Sequence, residues 1–69
     1  MNDEEILKEL AELFEEDNLD AGTALDALAW DSMAMLGVIA IAKKHGITIS
    51  GKAIREYETV GDILTAFHA

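Results

Sequence analysis

Apolar residues recur every three or four positions in the first segment of this chain, at Ile6, Leu7, Leu10, Leu13 and Phe14. In a helix of about 3.6 residues per turn, this spacing gathers the apolar side chains on one face. The other side is acidic and carries Glu9, Glu12, Glu15 and Glu16. We therefore predict an amphipathic helix from Asp3 to Glu16, capped at its start by Asp3.

A long connection, residues 17–31, separates this helix from the next one. It contains three leucines that we expect to hold it against the core: Leu19, Leu25 and Leu28. Trp30, just before the second helix, is expected to anchor the loop against the bundle. Thr23 and Asp26 have the spacing of a helix start, so we predict a short helical turn there.

The second helix is predicted to start at Ser32, as its cap, and to run to about His45, with Gly46 ending it. It is the most apolar helical segment of the chain. The side chains expected to face the core are Leu36, Ile39 and either Ala42 or Lys43. Those expected to face outward are Met33, Gly37, Lys44 and either Ala40 or Ile41.

Two shorter helices complete the prediction. Residues 47–49 are β-like in composition but too few to form a sheet, so we expect an extended loop. Ser50 is predicted to cap a short helix over residues 52–57. Thr59 and Asp62 form a start resembling a capping box for a last helix through Phe67. Its core-facing residues are expected to be Ile63, Leu64 and Phe67.

The predicted fold is therefore all-α: a small bundle of three main helices plus one short helix, in a single domain spanning residues 1–69. The chain contains no cysteine, which leaves neither a disulfide framework nor a thiolate metal site. Its longest apolar run, residues 33–42, is too short to span a bilayer, and its start lacks the pattern of a secretion signal. We expect a cytoplasmic monomer without membrane insertion.

Charge is distributed unevenly along the sequence. Residues 1–31 contain eleven acidic residues and one basic residue, whereas residues 32–69 contain three acidic and four basic residues. The net charge of −9 argues against binding to nucleic acid or to an anionic membrane surface, because both need Lys and Arg to replace counterions. Either attraction of basic protein partners or solubility alone accounts for this charge.

Two motifs stand at fixed places in this helix order. The first is Trp30-Asp31-Ser32-Met33 with Leu36 behind it, and the second is Thr59-Val60-Gly61-Asp62-Ile63. Together with the chain length and the long first loop, they give the chain an order of elements that resembles the acyl carrier proteins over nearly its whole length. The resemblance implies that Ser32 receives 4′-phosphopantetheine from coenzyme A. Acyl groups would then travel as thioesters on the thiol of that arm.

The resemblance also implies roles for the neighbours of Ser32. Asp31 would help partner enzymes dock, and Met33 would be the exposed apolar residue that they contact. Each residue also has a purely structural interpretation: Ser32 as a helix cap, Asp31 as a carboxylate favoured near a helix start, and Met33 as core packing.

The second helix departs from the pattern of the fatty-acid carriers, in which it is markedly acidic. Residues 32–45 contain no acidic residue. We expect partner recognition there through small residues and shape, with contributions from Gly37 and Lys44. The hypothesis is a specialised pathway (polyketide, modified lipid or aminoacyl loading). Its expected partners are a phosphopantetheinyl transferase, an acyl-loading ligase or transferase, and a ketosynthase or other acyl-processing enzyme.

Other classes of function lack the residues they need. The segment around Ser32 has no nucleophile elbow, and only His45 and His68 could serve as bases, so we predict no enzymatic activity and no catalytic residue. Residues 17–28 superficially resemble a calcium loop but lack its ligands, so no metal site is predicted. Two alternatives stay open, an aminoacyl or peptidyl carrier and an unmodified helical adaptor that keeps the carrier fold.

Overall fold

Four α-helices and one 3₁₀ turn form the regular structure of residues 2–68, the part of the chain that a computed structural model describes. In chain order they are α1 (Asp3–Phe14), the 3₁₀ turn (Leu25–Ala27), α2 (Ser32–Lys44), α3 (Gly51–Ile54) and α4 (Val60–Phe67). No β-strand forms within these residues, and the predicted all-α bundle of three main helices and one short helix is confirmed.

Helix α1 begins at Asp3, as predicted, and ends at Phe14, two residues before the predicted end at Glu16. The cap is Asn2, not Asp3, because the Asn2 Oδ1 accepts the backbone N–H of Glu5 at 2.9 Å. The helix ends at Phe14 because Glu15 adopts a left-handed conformation with φ of 57°. The N–H of Glu15 turns back to the last carbonyls of the helix, which is a common way to close a C-terminus.

The caps predicted for α3 and α4 are confirmed. Ser50 Oγ accepts the N–H of Ala53 at 3.0 Å and starts α3, which is shorter than predicted and ends at Ile54. At α4, the Asp62 N–H donates to the Thr59 hydroxyl, and the Asp62 carboxylate accepts the N–H of Thr59 at 3.1 Å. This carboxylate also accepts the N–H of Glu58, and these backbone bonds lower the pKa of Asp62.

The long loop is pinned to the start of α4 by three backbone hydrogen bonds. They are Leu25 N–H to Glu58 carbonyl (2.9 Å), Val60 N–H to Thr23 carbonyl (2.9 Å) and Gly61 N–H to Ala21 carbonyl (2.8 Å). Leu25 is fully buried, and Leu19 and Leu28 pack against the core, as predicted. The helical turn also forms, although Thr23 bonds to Asp20 rather than to Asp26.

One hydrophobic core collects side chains from every helix. Its members are Ile6, Leu10, Leu25, Val38, Ala42, Ile49, Ile54, Val60, Ile63, Leu64 and Phe67. The inward face predicted for α4 is confirmed. The one predicted for α2 is partly wrong: Ala42 is buried and Ile39 packs against the core, as predicted, but Leu36 is exposed, and the helix also buries Ala34 and Val38. Since α2 is apolar almost all round, its sequence does not distinguish an inner from an outer face.

The loop and α4 approach so closely at Gly61 that a side chain does not fit. A Cβ added there would lie 2.9 Å from the backbone oxygen of Ala21. We therefore expect Gly61→Ala to lower the free energy of unfolding by about 1 kcal/mol, because overpacking strain (about 1–3 kcal/mol) exceeds the gain in helix propensity. Gly51→Ala is the matched control, since open space surrounds that position. Urea unfolding that finds Gly61→Ala as stable as the wild type would contradict this packing.

Candidate functional site

Ser32 is the first residue of α2, and Asp31 is the residue that caps this helix. Asp31 Oδ1 accepts the N–H of Ala34 at 2.9 Å, and the Asp31 carbonyl accepts the N–H of Met35 at 2.9 Å. The prediction that Ser32 itself is the cap is therefore wrong by one residue. The consequence is chemical, because a capping hydroxyl would be engaged with the backbone, whereas the Ser32 hydroxyl is not.

The two serines of the chain provide a direct contrast. Ser50 Oγ is occupied by the N–H of Ala53, whereas Ser32 Oγ makes no hydrogen bond within residues 2–68. Ser32 is also exposed to solvent. The N–H groups of Ser32 and Met33, in the first turn of α2, have no backbone acceptor in the same part of the chain. An open hydroxyl thus stands beside two open amide donors at the positive end of a helix.

A cleft of about 190 Å³ opens beside Ser32, between α2 and α3. Its lining is mostly apolar and consists of Ser32, Met35, Leu36, Ile39, Gly51, Ile54 and Arg55. Arg55 is exposed and supplies the only formal charge among these residues. The site therefore combines a hydroxyl, apolar walls and one cation.

Two large apolar side chains are exposed next to Ser32. Met33 is 77% exposed and Leu36 is 62% exposed. The outward position predicted for Met33 is confirmed, and its alternative as core packing is wrong. Arg55 is a site residue that the sequence patterns missed, and Leu36, which belongs to the first motif, is exposed at the site although the apolar pattern predicts that it faces the core. The missed signal is the four-residue spacing from Ser32 to Leu36, which places both side chains on the same face of α2.

Gly37 was expected to face outward, and this is wrong. A Cβ at Gly37 would lie 2.5 Å from Leu13 Cδ1, so the glycine faces α1 and lets the two helices approach closely. Lys44 is exposed as predicted, but its Nζ lies 2.6 Å from Glu9 Oε1 on α1. The geometry thus gives Gly37 a role in helix packing and Lys44 a role in an ion pair between helices.

Glu9 joins the C-terminal end of α2 to the middle of α1. Besides Lys44, it binds His45, whose Nε2 lies 2.6 Å from Glu9 Oε2. The hydrogen bond from Lys44, followed by that from His45, lowers the pKa of Glu9, and the same contact with Glu9 raises the pKa of Lys44. The other histidine, His68, contacts Asp3 at 2.5 Å. Each histidine is therefore bonded to a carboxylate of α1, away from the cleft at Ser32.

Trp30 holds the loop that carries Asp31 against α1. Its ring lies 6.0 Å from that of Phe14, between centroids, with the planes tilted by 45°. Tilted aromatic pairs at this separation are favourable. The anchoring role predicted for Trp30 is confirmed, and the contact fixes the approach of the chain to the cap of α2.

In residues 2–68, no cluster of His, Cys, Asp or Glu has the arrangement of a metal site, and no helix is long and apolar enough to cross a membrane. Comparisons of the chain with protein families, with curated proteins and with solved structures found no match. The residues and geometry of the site are therefore what bears on function.

The assignment of Asp31 as the cap of α2 predicts that substitutions at two adjacent residues affect stability to different extents. Asp31→Ala removes the acceptor of the Ala34 N–H and should cost about 1 kcal/mol of unfolding free energy. Ser32→Ala removes a free hydroxyl and should change stability by less than about 0.5 kcal/mol. Asp31→Asn is the control, because Asn also caps helices well. Chemical denaturation in which Ser32→Ala loses as much stability as Asp31→Ala would overturn the assignment.

The contacts of Glu9 predict a pH-dependent contribution to stability. The pKa of Glu9 in the folded state lies below its ordinary value of 4.5. The stability that the Glu9 contacts contribute is therefore present above that pH and is lost as the pH falls through the lowered pKa. Glu9→Gln should thus lower the Tm by a few degrees at pH 7, and this difference should shrink in acid. Exposed Glu16→Gln, which breaks no ion pair within residues 2–68, is the control. A difference in Tm that stays constant down to acidic pH would contradict the prediction.

Proposed function

We propose that this protein is a carrier of the acyl carrier type, with Ser32 as the attachment residue for 4′-phosphopantetheine. The observation that carries the proposal is that α2 begins with an exposed serine whose hydroxyl is free because Asp31 caps the helix. The sequence resemblance around Asp31 and Ser32, and the all-α bundle with its long loop, support the same function.

The surroundings of Ser32 suit a phosphodiester. The unpaired N–H groups of Ser32 and Met33 and the positive end of α2 favour an anion at this place. Arg55 adds a positive charge to the cleft that Ser32 lines. The carboxylate of Asp31 is engaged with the N–H of Ala34, which offsets part of its repulsion of a second anion.

The group would supply a thiol, which this cysteine-free chain lacks, and acyl or aminoacyl cargo bonds to that thiol as a thioester. Ser32 would hold the arm through its oxygen. The apolar walls provided by Met35, Leu36 and Ile39 would give the arm or its cargo a surface sheltered from water.

The partners of such a carrier are a phosphopantetheinyl transferase, a ligase or transferase that loads it, and enzymes such as a ketosynthase that process the cargo. Because α2 has no acidic residue, we assign the protein to a specialised pathway rather than to housekeeping fatty-acid synthesis. Met33 and Leu36, both exposed beside Ser32, are the residues that these enzymes would contact.

Intact mass spectrometry tests the proposal. Wild type, Ser32→Ala and Ser50→Ala are each incubated with coenzyme A and a purified broad-range phosphopantetheinyl transferase. We expect the wild type and Ser50→Ala to gain the mass of one phosphopantetheine, and Ser32→Ala to gain none. Ser50 is the matched control because it is the only other serine of the chain and its oxygen is engaged in a helix cap.

Absence of any mass gain in the wild type, with a transferase that modifies a known carrier in the same assay, would refute the attachment site. An unmodified helical adaptor would then be the better description of the protein. Gain of the same mass by Ser32→Ala would equally exclude Ser32 as the attachment residue.

A further inference from the structure

The middle of the chain carries a charge opposite to that of the whole protein. Residues 32–55, which include α2 and α3, contain four of the five basic residues and none of the fourteen acidic ones. The fifth basic residue, Lys8, lies on α1. The segment that begins at Ser32 and contains α2 and α3 therefore carries a charge opposite to the net charge of −9.

Three of these cations are exposed on α2, on α3 and directly after α3. Arg55, the residue that follows α3, lines the cleft at Ser32, and Lys52 on α3 lies three residues before Arg55. Lys43 lines a neighbouring depression that shares Ile39 with the cleft. Lys43, Lys52 and Arg55 are exposed and make no salt bridge within residues 2–68, whereas Lys44 is bonded to Glu9.

The exposed apolar side chains lie at the edge of this basic surface. Leu36 lines the same cleft as Arg55, and Met33 lies next to Ser32. On its far side, Met33 borders a depression that is also lined by Glu15 and Asp31. The surface around Ser32 thus runs from acidic, through apolar, to basic. Such an arrangement fixes the orientation of a docked partner as well as attracting it.

We infer, on the basis of the proposed carrier function, that the enzymes serving this carrier dock through an acidic surface beside an apolar socket. The acidic surface would face Lys43, Lys52 and Arg55, and the socket would receive Met33 and Leu36. Protein is the occupant that the charges favour. Recognition of anionic lipid typically uses clusters of about four to eight Lys or Arg. Within residues 2–68, α2, α3 and the residue after α3 supply three cations without a salt bridge, on a chain of charge −9. Nucleic acid is disfavoured by the same net charge.

Charge reversal tests this surface. Lys43, Lys52 and Arg55 are replaced together by Glu, and Lys8→Glu, an exposed position on α1, is the control. Each protein is first loaded with phosphopantetheine, and loading is verified by intact mass. Binding to each purified acyl-processing enzyme encoded beside the gene is then measured by titration calorimetry at low and at moderate ionic strength.

We expect the triple Glu variant to bind at least about tenfold more weakly than the wild type, and Lys8→Glu to stay within about twofold. Wild-type affinity should also fall as salt is added, because exposed charges are screened. Replacement of the same three residues by Gln should give an intermediate loss. Circular dichroism of both triple variants, if it matches that of the wild type, excludes unfolding as the cause.

Unchanged or tighter binding by the triple Glu variant would overturn the inference while the carrier function stands. Failure of all these enzymes to bind the loaded wild type would also overturn the inference about docking. Binding of the wild type to phosphatidylserine vesicles, lost in the triple Glu variant, would show a membrane partner instead. A wild type that never takes up phosphopantetheine would refute the carrier function itself.

Discussion

The hydrogen bond from the Ala34 N–H to the Asp31 carboxylate is the contact on which the candidate site depends. It starts α2 at Ser32 and leaves the serine hydroxyl unengaged. In the helix that starts there, Val38 and Ala42 lie in the core and Leu36 faces outward. Trp30, packed on Phe14, holds the incoming loop in the position that this cap requires. This local bond thus decides the accessibility of the first residue of α2.

A second constraint is the separation of charge along the chain. The acidic residues are concentrated in α1 and the long loop, whereas the charged residues of α2 and α3 are all lysines. Glu9 joins the two regions through Lys44 and His45, at the end of α2 that is remote from Ser32. Repulsion among the acids of α1 is therefore relieved away from the site. Lys43, Lys52 and Arg55 make no salt bridge within residues 2–68 and are free to act on a ligand or partner.

Much of this structure could be predicted from sequence because its signals are local. Ser50, Thr59 and Asp62 cap helices at the predicted positions, since each reaches an N–H three residues away or less. Asn2 and Asp31 were each missed by one residue. Asn, Asp and Ser cap helices almost equally well, so adjacent candidates cannot be ranked by type. Packing of the whole chain decides between them.

The faces of α2 could not be predicted for a related reason. Its apolar side chains lie all round the helix, and only contact with α1 selects the inner face. Gly37 illustrates this, because the nearby Leu13 belongs to another helix and no local pattern connects the two residues. The exposure of Leu36 in the cleft follows from that selection.

The chain has no cysteine, so any thiol on the protein purified from its native host must come from an installed group. Thiol titration after hydroxylamine treatment, which releases thioester-bound cargo, is therefore the most direct test of the account. We predict one thiol per chain, located on the peptide that contains Ser32. Protein from the same host that carries no thiol, with Ser32 unmodified in the mass spectrum, would contradict the account.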